Sequence, residues 1–72
     1  MLTYKKVFEK DGIIRYEFYP EGNTEAPGIV EFEEGKAPRL IAHSSADFKM
    51  FYATHALNNI DMRKESGTVA WY

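Results

Sequence analysis

The sequence predicts an α+β domain: an antiparallel meander of four short strands, one helix packed on the sheet, and a fifth strand at the C-terminal end. Three observations carry this. Short alternating apolar runs fill the first half, Gly- and Pro-containing turns separate them, and the one stretch with helical periodicity begins near Ala46. The 72 residues are read as one domain, 1–72. A chain of this length buries roughly 60% of the surface it exposes when unfolded, so its core is thin. Hydrophobic residues at 44% and aromatics at 15% exclude intrinsic disorder.

Leu2 to Lys10 and Ile13 to Tyr19 read as two strands joined by Asp11-Gly12. That dipeptide between alternating apolar runs is a hairpin signal, because a type I′ turn needs positive φ at both central residues. Alternation assigns Leu2, Tyr4, Phe8, Ile14, Tyr16 and Phe18 to the core face. Pro20 to Pro27 is a turn-rich connection, expected to be the most mobile segment. The third strand, Ile29 to Glu33, places Val30 and Phe32 inward and Glu31 and Glu33 outward. After a turn at Glu34-Gly35-Lys36, Pro38 confines the fourth strand to Arg39–His43.

Ser44 followed by Asp47 matches a capping box and predicts a helix over Ala46 to Asn59, with a continuation to Lys64 as an alternative. Gly67 reads as its stop, and Thr68 to Tyr72 as the fifth strand. On this helix Ala46, Met50, Ala53, Ala56, Leu57 and Ile60 form one apolar stripe, with Ala53, Ala56 and Ile60 expected against the sheet. Phe48, Phe51, Tyr52 and His55, with Met62 beyond them, form a second stripe nearly opposite. A monomer needs only one. Either the sheet curls to cover part of both, or the aromatic stripe meets a second subunit or another protein.

The absence of cysteine excludes disulfides and thiolate chemistry and fits a reducing interior, so a cytoplasmic location is expected. No apolar run is long enough for a membrane span, and no membrane partner is expected. Six acids and no base lie between Tyr16 and Gly35, a pattern that repels phosphate; no nucleic-acid partner is expected. His43 and His55 are the only histidines, and nothing in the spacing brings them together as general acid and base. Ser44-Ser45 beside His43 is better explained by capping than by a nucleophile. Glu31, Glu33, Glu17 and Glu34 read as a solvated face, with a Ca²⁺ or Mg²⁺ site as the alternative. No phosphate-binding glycine loop occurs. No catalytic residue, metal or cofactor is assigned.

The stretch Pro27-Gly28-Ile29-Val30-Glu31-Phe32, then Gly35, His55-Ala56-Leu57 and the ending Gly67-Thr68-Val69-Ala70-Trp71-Tyr72, resembles a group of small proteins of bacteria and their phages. The likeness covers roughly the last forty-five residues, with Val69-Ala70-Trp71-Tyr72 its most distinctive part. The group has no assigned activity, so the resemblance carries over no site residues; it implies a cytoplasmic, non-enzymatic protein.

The function expected from these readings is a non-catalytic interaction module, a homodimer whose candidate interface is Phe48, Phe51, Tyr52 and His55. The alternative is a small ligand-binding or hydrolytic protein with a pocket near His43 or His55. A third reading makes the acidic middle a decoy surface for a basic or nucleic-acid-binding partner.

Overall fold

A computed structural model describes residues 1–71; the expected extension of the last strand to Tyr72 lies outside the described residues. The elements are β1 (Leu2–Lys10), β2 (Ile13–Pro20), β3 (Gly28–Glu33), β4 (Arg39–Ala42), α1 (Phe51–Asn59) and β5 (Ser66–Val69). All neighbouring strands are antiparallel in one sheet of order β4-β3-β2-β1-β5. This is the α+β meander with a packed helix. The fifth strand joins the free edge of β1, begins two residues earlier than expected and ends at Val69, so Ala70 and Trp71, expected within it, lie beyond its end. Among the described residues no helix is long and apolar enough to cross a membrane.

The central hairpin forms as the dipeptide dictates, with Asp11 at φ 55° and Gly12 at φ 81°. Its inward residues Leu2, Tyr4, Tyr16 and Phe18 are buried and meet Val30 and Phe32 of β3 and Val69 of β5. Ala53, Ala56 and Ile60 close the core from the helix, as their small or branched side chains allow. Tyr16 is fully buried, edge-on to Tyr4 and Phe32 at 5.5 and 6.0 Å between centroids. Its hydroxyl donates to the Lys64 carbonyl at 2.7 Å, anchoring the chain after the helix. Burial raises the pKa of this phenol, which keeps the donor proton in place.

Phe8 is not on the core face. The register of β1 against β2 shifts between Lys6 and Phe8, leaving Val7 as the extra residue. One inserted residue reverses every later side chain. Phe8 therefore turns to the face away from the helix, where the Arg15 guanidinium lies 4.8 Å from its ring centroid. β4 has a similar irregularity: Leu40 pairs with Val30 and Ala42 with Ile29, so Ile41 stands out from the edge.

Two glycines admit the strands that flank the hairpin. Gly28 pairs with Phe18, and a Cβ there would sit 2.2 Å from the Phe18 ring. Gly67 pairs with Tyr4, and a Cβ there would sit 2.5 Å from the Tyr4 hydroxyl. Gly67 is thus a strand residue beneath a ring, not the helix stop; the helix already ends at Asn59, where Ile60 turns extended. The Pro20–Pro27 connection is a succession of hydrogen-bonded turns around Asn23, and its buried Ala26 is tied to Ser44.

Gly28→Ala should cost about 1–3 kcal/mol in chemical denaturation, the range for overpacking. The double substitution Gly28→Ala/Phe18→Leu should lose less than the sum of its parts, because the residues share one space.

Candidate functional site

The helix begins at Phe51, five residues later than the sequence pattern predicts. The cause is Asp47. Its carboxylate reaches past the intervening residues and accepts the backbone N–H of Tyr52 at 2.8 Å and of Ala53 at 2.9 Å. Closing that loop requires Lys49 and Met50 to adopt positive φ, 56° and 60°. The expected capping box does not form. Ser44 Oγ donates to the Ala26 carbonyl and accepts the Ala46 N–H at 3.1 Å, so this hydroxyl ties two loops together instead of a helix end.

The four aromatic-stripe residues divide into two pairs. Tyr52 and His55 are half-buried beneath Trp71: the His55 and Trp71 rings stack at 3.9 Å and 5°, and Tyr52 meets Trp71 at 5.5 Å. The Tyr52 hydroxyl also donates to Glu21 at 2.8 Å, and Glu21 accepts the Met1 ammonium at 2.7 Å. Together these donors lower the Glu21 pKa, the ammonium contributing most. Phe48 and Phe51 remain exposed, at 76% and 51%, with Met50 between them at 43%. An apolar patch therefore protrudes where the chain enters the helix, underlaid by the Tyr52–His55–Trp71 stack. Ala46 and Met50, expected on the inward stripe, lie before the helix and are exposed.

Neither histidine is joined by a hydrogen bond to a carboxylate or a serine among the described residues. His43 is exposed at the end of β4, while His55 is committed to its stack. No group of three His, Asp or Glu side chains suited to a metal occurs among the described residues. Glu31 in particular is not a solvated carboxylate. It is 2% exposed and accepts from Arg15 Nε at 2.8 Å and from Arg39. Arg39 foremost, then Arg15, holds its carboxyl below the ordinary value. Nearby on the same face, burial and then the Glu17 carboxylate push the Tyr19 phenol up to about 12.

A cleft of about 390 Å³ opens at the end of the sheet where the β1–β2 and β3–β4 turns lie. Ile14 and Phe32 form its floor, Met62 and Pro38 its walls, and Glu33, Glu34 and Lys36 its rim near Gly12. It exists because the nine-residue helix is shorter than the strands it covers. Neither His43 nor His55 lines it. Met62 belongs to this cleft rather than to the aromatic stripe, since the helix stops before it. Periodicity alone could not have found it, because the point at which the helix stops decides where it opens.

Asp47→Ala should cost about 2 kcal/mol, the upper end for a lost helix cap, because two amides lose their acceptor. Ser44→Ala should also destabilise, by about 1–3 kcal/mol, through its two stranded loop partners. Both are measurable by urea titration. A depressed carboxyl pKa stabilises the fold above the unfolded value and loses that contribution as pH falls through the native value. Asp61, lowered to about 2 first by its Arg63 hydrogen bond, and Glu31 both act this way. Stability should therefore fall between about pH 5 and pH 2, and more shallowly in Glu31→Gln.

Comparison of the chain with family models, with curated proteins and with solved structures finds no match in any of the three.

Proposed function

We propose that the chain is a non-catalytic interaction module that pairs with a second copy of itself through the apolar surface at the start of the helix. The observation that carries this is the run Phe48–Phe51, in which Phe48, Met50 and Phe51 are all exposed on one turn of backbone, closed by the Phe51 N–H donating to the Phe48 carbonyl. Each such side chain left in water forgoes roughly 1.5–3 kcal/mol of burial. The backbone beneath them is also strained. A left-handed conformation costs roughly 1–2 kcal/mol for a residue with a side chain, and Lys49 and Met50 both adopt it.

Strain retained at an exposed apolar point is typical of recognition segments. Tyr52, His55 and Trp71 support the patch from below, so the surface that pairs is narrower than the whole stripe: Phe48 and Phe51 lead, and the other two hold them in place. A small core gains from being supplemented by a partner, and two-fold pairing is the commonest way for identical chains to provide it. The histidines, apart from each other and from the cleft, support a non-catalytic role. The lack of cysteine supports a reducing, cytoplasmic setting.

Sedimentation equilibrium at tens of micromolar should show a dimer. Phe48→Asp should shift it to monomer with an unchanged far-ultraviolet circular dichroism spectrum. A wild-type chain that stays monomeric throughout that range refutes the reading.

A further inference from the structure

We infer that the cleft at the turn end of the sheet is the seat for the Phe48–Lys49 pair of a second copy. The inference rests on the pairing proposed above and deepens it by naming what the exposed ring enters. The cleft combines an apolar floor, Ile14 and Phe32, with carboxylates at its rim. Of these, Glu33 is paired with Lys36 at 3.4 Å, whereas Glu34 has no ion-pair partner among the described residues. The complementary group is an apolar body with a cation beside it.

Phe48 and Lys49 form such a group. The ring is 76% exposed and the Lys49 ammonium lies 5.3 Å from its centroid. Lys49, like Glu34, has no ion-pair partner among the described residues. At about 390 Å³ the cleft is at the small end of the ligand-binding range, roughly 300–1,000 Å³, and suits one ring with a lysine stem.

Topology prevents a copy from filling its own cleft. Pro38 stands at the cleft and β4 leads away from it, to the Ser44–Met50 segment at the opposite end of the sheet. The helix then returns, and Met62 reaches the cleft only after its nine residues, about 13 Å of rise. Ring and seat thus lie at opposite ends of one molecule. A two-fold axis that reverses one copy end for end brings each ring to the other's seat, so a single closed dimer satisfies both.

The test is the dimer dissociation constant of the full chain, measured by sedimentation with circular dichroism as the control for folding. Lys49→Glu and Glu34→Lys should each weaken the dimer roughly two- to five-fold, the range for a rim ion pair, and the double variant should restore it. Met62→Trp, which fills the seat, should weaken it roughly ten-fold or more. If Phe48→Asp dissociates the dimer while Met62→Trp leaves the constant unchanged and the charge exchange gives no rescue, the seat is elsewhere. The inference is then overturned while the pairing stands. A monomeric wild-type chain overturns both.

Discussion

Tyr16 occupies the centre of the sheet, and its hydroxyl anchors the chain that leaves the helix. An apolar residue at that position would fill the same space between Tyr4 and Phe32, yet would leave the Lys64 carbonyl without its donor. A buried phenol needs a partner, and the chain leaving the helix supplies one. That bond brings residues 61–65 down onto the sheet, where Tyr4 also accepts the Asp61 N–H at 3.4 Å. β5 starts directly afterwards, with Lys6 N–H donating to the Glu65 carbonyl at 2.7 Å. The helix exit and the position of Met62 over the cleft are thus held by the hydroxyls of Tyr16 and Tyr4, and the register of the last strand by its pairing with β1.

The opposite end of the helix shows a different balance. Local preference favours a helix from Ala46, but a carboxylate shared by two amides and a left-handed pair of residues produce a shorter one. Both solutions satisfy first-turn donors. They differ in what the surface presents: the shorter helix projects Phe48 and Phe51 outward on a bend, where a continued helix would have carried them round its circumference. Rigid support comes from beneath, through the stacked His55 and Trp71.

Much of the architecture was legible in the residues. The Asp11-Gly12 hairpin, the four-strand meander and the inward Ala53, Ala56 and Ile60 follow from turn chemistry and periodicity, which are local properties. What was not legible depends on distant partners. Phe8 alternates correctly with Tyr4 until Val7 bulges, and a bulge leaves little trace in the pattern. Glu31 looks like any outward acid until Arg15 and Arg39 converge on it from the two adjacent strands. Ser44 and Asp47 have the spacing of one cap but serve two different ends, a choice made by where Ala26 lies. Of Phe48, Phe51, Tyr52 and His55, periodicity could not tell which reach solvent, because that depends on Trp71, a residue distant in sequence that covers Tyr52 and His55.

The central hairpin contributes a ring to each of its neighbours, Phe18 over Gly28 and Tyr4 over Gly67, and each neighbour contributes an empty space. The sheet is therefore assembled at both flanks by the same lock, a bulky group on the inner strand closing over a missing one on the outer. Such positions cannot drift singly. A lineage that acquired a side chain at either glycine would have to shrink the facing ring in step, and shrinking Tyr4 would also remove the acceptor that holds Asp61. The two outer strands are thus tied to the inner pair by inheritance as well as by contact, and descendants of this chain should carry each ring and its glycine together or lose both.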